Sequence, residues 1–217
     1  MDLEQEFECT IKLLIVGDSG VGKTNFIYRF ITGKFIQSHM ATTGIDLKTA
    51  IIEIKGKKIR IQLWDTAGQE KYKSITKNLF LKVQGILVVY DITNEMSFKN
   101  LKSWVQMIKE DCGEHTPIII LGNKSDLEEN RVVNKNDAMA YAEEEKVLYL
   151  ETSPKTGENV QNSINIISEK VLENSETGND FSFTLDSSLI KKKKSINVVN
   201  KLYFKRKNSF YVFILNF

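Results

Sequence analysis

Apolar residues along the chain fall into two alternating patterns. Ile11 to Val16, Gly85 to Asp91 and Ile118 to Leu121 are nearly continuous apolar runs. Such runs lack the in–out alternation of a one-sided strand and predict strands of a sheet covered on both faces. Ile45 to Ile54 and Ile59 to Asp65 predict two more strands, with Gly56-Lys57 as the hairpin turn signal between them. In the second of these, Ile59, Ile61 and Leu63 alternate with Arg60, Gln62 and Trp64. Trp64 therefore shares a face with polar side chains, and reads either as a partly covered surface aromatic or as a contact point for a partner. Helical spacing is carried by Asn25 to Ile31, by Phe98, Leu101, Val105 and Ile108, by Lys135 to Glu145 with Ala138, Tyr141 and Ala142 on one side, and by Val160, Ile164, Ile167 and Val171. Val147 to Leu150 is the last strand. Strands alternating with helices predict a doubly wound α/β domain over residues 10–173, after a short lead-in at 1–9. Residues 174–217 change character. They hold a polar linker to about residue 190, the basic clusters Lys191-Lys192-Lys193-Lys194 and Lys205-Arg206-Lys207, and an apolar, aromatic end, and are expected to be a disordered, flexible tail.

Composition narrows the class. The 217 residues are 41% hydrophobic and 27% charged, with a net charge of +2, as in an ordinary soluble globular protein. That balance gives no whole-protein signal for nucleic acid. The two cysteines, Cys9 and Cys112, stand far apart in no ligand pattern, which suits a reducing compartment and excludes a disulfide scaffold or zinc site as the organising feature. The acidic, polar start predicts no secretory signal. No apolar run approaches the ~18 residues of a spanning helix.

Three motifs carry chemistry. Gly17-Asp18-Ser19-Gly20-Val21-Gly22-Lys23-Thr24 fits G-x-x-x-x-G-K-[ST] between a predicted strand and a predicted helix. Glycines there let backbone N–H groups converge on phosphate oxygens, and the helix start adds its positive dipole end. Lys23 is placed to reach the outer phosphates and the Thr24 hydroxyl to hold Mg²⁺. The loop implies a nucleoside triphosphate without choosing the base. Asp65-Thr66-Ala67-Gly68-Gln69 follows a strand, so Asp65 can hold Mg²⁺ through water, Gly68 can offer its N–H to a terminal phosphate, and Gln69 can orient an attacking water. Asn123-Lys124-Ser125-Asp126 follows the strand Ile118 to Leu121. A carboxylate there accepts two hydrogen bonds from guanine, and adenine has no such donor pair on that edge. Lys124 can lie over the base and Asn123 can brace the phosphate loop. The plainer reading of that stretch is a surface turn.

Together these stretches resemble the signature of the Ras superfamily of small GTPases. Trp64 to Glu70, Val89 to Thr93, Ser97-Phe98 and Glu151-Thr152-Ser153 are most similar to its Rab branch. The resemblance runs from about Ile11 to Leu172 and implies a six-stranded, mostly parallel sheet with five helices, binding GTP or GDP with Mg²⁺. It assigns Phe35 to the guanine edge, Thr42 to Mg²⁺ and the γ-phosphate, Gln69 to the catalytic water, and Ser153, Pro154 and Lys155 to the loop that contacts guanine. The expected protein is a monomeric switch, slow in GTP hydrolysis by itself. It works in membrane traffic through effectors, an exchange factor and an activating protein that meet the switch segments and Trp64. A nucleotide-binding scaffold that cycles little is the alternative.

The chain departs from the family pattern in several places. Pro154 stands where an alanine N–H usually donates to the guanine carbonyl, and proline has no N–H. Leu47 replaces one aromatic of a trio that includes Trp64, while Phe80 preserves a ring nearby. His39 replaces a switch tyrosine. No cysteine follows Cys112, so prenylation of this sequence is not expected, and Lys191 to Lys194 read either as a contact for the cytosolic face of an endomembrane or as part of a solvated tail with no such role.

Overall fold

The computed structural model describes residues 7–37, 45–66, 80, 82–113, 115–176, 203–206 and 209–212. Six strands form one sheet: β1 (Cys9–Val16), β2 (Ile45–Ile54), β3 (Lys57–Thr66), β4 (Gly85–Asp91), β5 (Ile118–Asn123) and β6 (Leu148–Thr152). Their order across the sheet is β2-β3-β1-β4-β5-β6. β2 and β3 are antiparallel and every other pair is parallel. Four α-helices, α1 (Lys23–Thr32), α2 (Glu95–Cys112), α3 (Lys135–Glu144) and α4 (Val160–Glu176), and a 3-10 helix over Ser125–Asn130 complete the domain among the described residues. The expected doubly wound α/β fold with a six-stranded, mostly parallel sheet is therefore what the chain adopts.

The apolar runs explain the layering. Within β1, Ile11, Leu13 and Ile15 face one core, with Phe26 and Ile27 of α1 and Val160, Ile164 and Ile167 of α4. Leu14 and Val16 face the other, with Leu101, Val105 and Ile108 of α2 and Ala138, Tyr141 and Ala142 of α3. A strand between two cores has no solvent face, so alternation vanishes from its sequence. β3 keeps its alternation. Ile59, Ile61 and Leu63 are fully buried, while Arg60, Gln62 and Trp64 are half-buried on the other face.

Several boundaries differ from the sequence expectation. β1 starts at Cys9, inside the expected lead-in, and Phe7 is buried beneath the Arg60 guanidinium, 3.5 Å above its ring. The β2–β3 turn is Lys55-Gly56, one residue earlier than Gly56-Lys57. Both residues have positive φ (50° and 77°), as a two-residue type I′ hairpin requires. α4 runs to Glu176. In the second unit of the chain, the described residues Tyr203–Arg206 (β7) and Ser209–Val212 (β8) pair antiparallel. Lys191 to Lys194 lie outside the described residues. Among the described residues no helix is long and apolar enough to cross a membrane.

Candidate functional site

The phosphate-loop motif joins the C-terminal end of β1 to the N-terminus of α1. Gly17 has φ of 136°, and a Cβ on it would lie 2.1 Å from the Val89 carbonyl oxygen of β4. Only glycine lets the chain leave β1 so close to its neighbouring strand. Gly22 caps α1 in the left-handed region, and a Cβ there would lie 2.5 Å from Asn123 Nδ2. Val21 is buried, while Ser19 and Gly20 are exposed at the loop tip. The first turn of α1 carries no acidic residue, so its dipole is free to act on an anion. Lys23 is buried, and its Nζ donates to the carbonyls of Gly17 and Asp18 at 2.7 and 2.8 Å. Burial lowers its pKa to about 8, against the opposing pull of the Asp65 and Asp18 charges. The lysine thus bridges the loop with its charge incompletely compensated, an arrangement suited to receiving phosphate oxygens.

Asp65 and Thr24 meet beside the loop. The Thr24 hydroxyl donates to Asp65 Oδ2 at 2.8 Å, and Asp65 Oδ1 is buried with no hydrogen-bond partner among the described residues. Burial raises the Asp65 pKa, partly offset by the Thr24 hydrogen bond and the Lys23 charge. A buried carboxylate oxygen without a partner, next to a hydroxyl, is a hard oxygen donor set of the kind Mg²⁺ takes. These residues fit the ion that the sequence implied.

On the far side of the loop lies a cleft of about 290 Å³. Gly22, Phe35, Lys124, Asp126, Pro154 and Lys155 are among the residues that line it. Asn123 joins the two halves. Its Nδ2 donates to the Val21 carbonyl at 2.7 Å, and its Oδ1 accepts from the Thr152 hydroxyl at 3.0 Å. The expected brace between this residue and the phosphate loop is present, and it extends to β6. Lys124 has φ of 67° and holds Asp91 Oδ2 at 2.6 Å. Asp126 is oriented by the Ser153 hydroxyl, which donates to Oδ1 at 2.6 Å, while Lys155 Nζ lies 3.5 Å from Oδ2. Pro154 occupies the cleft wall. The N–H groups of Thr156 and Gly157 are committed within the same turn, to the Ser153 hydroxyl and carbonyl.

The structure therefore brings together Gly17 to Thr24, Phe35, Asp65, Asn123, Lys124, Asp126, Ser153, Pro154 and Lys155. Thr42, Gly68, Gln69 and His39 lie outside the described residues. Three supports escaped the sequence reading. Asp91 anchors Lys124 from the end of β4, a position that an acidic residue closing an apolar run marks in hindsight. Thr152 holds Asn123. Arg131 pairs with buried Glu151 through two contacts of 2.8 and 3.0 Å, tying the strand that enters the base loop to the segment after the 3-10 helix. Nothing in the sequence pattern pairs residues 20 apart across two loops. Trp64 is half-buried against the core and sits opposite Leu47, which is 42% exposed. Its indole N–H is buried without a hydrogen-bond partner among the described residues.

Comparison with known proteins shows the family of the chain. The model of the Ras family matches residues 12–173. The chain is 41% identical over 170 residues to the Ras-related protein Rab-13 of Canis lupus familiaris, covering 78% of this chain and 84% of the relative. It is 42% identical over 159 residues to the GTP-binding protein YPTM1 of Zea mays, covering 73% and 76%. It is 40% identical over 170 residues to the Ras-related protein Rab-10 of Diplobatis ommata, covering 78% and 85%. These relatives do not favour a scaffold without a GTPase cycle. The chain belongs to the Ras family, as a Rab-like small GTPase that hydrolyses GTP and acts in membrane traffic.

Proposed function

We propose that the cleft between Phe35 and Pro154 takes the guanine base of GTP or GDP, with the phosphates on the loop Gly17 to Thr24. The carrying observation is Asn123, which hydrogen-bonds the phosphate loop from the segment that bears Asp126. One side chain thereby fixes the distance between base reader and phosphate binder. Asp126, already oriented by Ser153, accepts from the two guanine donors. Lys124, held by Asp91, supports the base plane. Lys23 exchanges its two carbonyl contacts for phosphate oxygens, and Thr24, Asp65 and Thr42 hold Mg²⁺. The ion, when bound, offsets charge on the β- and γ-phosphates. Thr42 and the Gly68 N–H sense the third phosphate, and Gln69 orients the attacking water. No strong base stands in the site among the described residues, so intrinsic hydrolysis is slow and depends on an activating protein. The exposed Ser19 leaves the loop tip open to such a protein. Effectors and an exchange factor read the switch segments and the surface around Trp64 and Leu47. The functional unit is the domain around residues 10–173. The protein works as a monomer on the cytosolic face of an endomembrane, held peripherally, with Lys191 to Lys194 as its cationic contact.

The cycling reading is tested by single-turnover GTP hydrolysis. Gln69→Leu is expected to slow the wild-type rate roughly tenfold or more, as loss of an oriented water would. Equal rates in the two proteins would favour a nucleotide-bound scaffold instead.

Pro154 makes a second measurable difference. Proline offers no donor to the guanine carbonyl, and a buried acceptor without its donor costs about 1–3 kcal/mol. Pro154→Ala is therefore expected to tighten GDP binding by up to that amount, read by titration with a fluorescent GDP analogue. An unchanged affinity would mean that another group, such as the Lys155 N–H, already serves the carbonyl.

A further inference from the structure

The phosphate loop contains one acidic side chain, Asp18. A carboxylate beside a triphosphate is repelled by it and competes with it for cations. Asp18 is near enough that its charge bears on Lys23, the loop's own cation. Its carboxylate is nonetheless directed to the side. Asn100 Nδ2 donates to Oδ2 at 2.7 Å, and Trp104 Nε1 donates to Oδ1 at 3.1 Å. Both donors project from α2, four residues apart and hence from the same face of the helix. Trp104 is 7% exposed, and its indole N–H can only donate, so Asp18 is the acceptor that satisfies it. Asn100, facing a carboxylate, must present its amide NH₂.

We propose that Asn100 and Trp104 are positioning residues of the phosphate loop: by capping both oxygens of Asp18 they hold its negative charge away from the phosphates and leave Lys23 to the nucleotide. This rests on the nucleotide-site reading above. Neither residue touches the ligand, and each acts through Asp18. The capping also ties the loop to α2, and Asn100 and Trp104 are the α2 side chains seen to hold it among the described residues.

The test separates this role from plain packing. Trp104→Phe keeps the ring that fills the core and deletes the donor. Asn100→Leu keeps the volume and deletes the amide. Affinity for a fluorescent GDP analogue is measured in the full chain, with thermal melting as a check on folding. The pair of substitutions is expected to weaken binding tenfold or more with Asp18 in place. In an Asp18→Ala background the same pair is expected to change affinity less than twofold, because no carboxylate is left to restrain. Equal losses in the two backgrounds overturn the proposal and make the pair structural. No loss in either overturns it also. Should the double variant fail to fold, Trp104→Phe alone is compared in the same two backgrounds, by the same criteria. Wild-type protein that binds no GDP overturns the nucleotide-site reading and this proposal with it, whereas a binding wild type with equal losses overturns this proposal alone.

Discussion

Asp126→Asn is expected to exchange the base preference of the protein, lowering GTP affinity by about 10⁴-fold and making xanthosine triphosphate the better ligand. One carboxylate oxygen of Asp126 is already in use. Ser153 donates to Asp126 Oδ1, so an asparagine in this place keeps its carbonyl oxygen toward Ser153 and turns its NH₂ into the cleft. Guanine then presents two donors to a donor. Xanthine has a carbonyl where guanine has the exocyclic amine, and that carbonyl accepts from the amide. Competition titrations with GTP, ATP and xanthosine triphosphate check the result. Equal loss of all three would mean that Asp126 supports the loop and does not read the base. Lys155, 3.5 Å from the second carboxylate oxygen, loses its ionic partner in the same variant, so Lys155→Ala is the control for that part of the loss.

Gly17→Ala is expected to be the most damaging single methyl in the phosphate loop. Its backbone φ of 136° is strained for any L side chain, and the new Cβ would meet the Val89 carbonyl oxygen at 2.1 Å. Val89 belongs to the fully buried β4, which pairs on both sides, so the carbonyl cannot retreat without breaking the sheet. Backbone strain of about 1–3 kcal/mol and overpacking of similar size add here. Their sum is a large part of the 5–15 kcal/mol that holds a typical domain together. Gly20→Ala is the matched comparison. It has positive φ too, at 79°, but no atom of the described residues lies within 4 Å of the added carbon. Denaturant midpoints should fall far more for Gly17→Ala than for Gly20→Ala. If they fall equally, dihedral strain accounts for the damage and the close approach to Val89 does not.

Much of this architecture was legible from the residue order, for a physical reason. β1, β4 and β5 are buried on both faces, and that condition writes a continuous apolar run into the sequence. The phosphate loop was legible because its glycines answer local constraints, a positive φ and a close contact, that no other residue satisfies. What stayed hidden depends on long-range geometry. Asp91 holding Lys124, Thr152 holding Asn123, and Asn100 with Trp104 holding Asp18 join positions that only the sheet order makes neighbours. Element ends depart from the local pattern where packing overrides it. Phe7 and Cys9 look like part of a polar lead-in, yet both are buried because β1 continues beside β3 from Cys9↔Ile59 onward.

The placement of β1 between β3 and β4 sets how the molecule opens. Exchange of backbone amide protons with solvent should be slowest along β1 and β4, where release requires global unfolding, and faster along β2, which has one neighbour and an exposed outer face. The loop that grips phosphate grows from the end of that most protected strand. A partly opened molecule that has shed β2 still carries an intact β1 and the loop attached to it. Retention of nucleotide and loss of the edge strand are then separable events, with the edge the earlier to go.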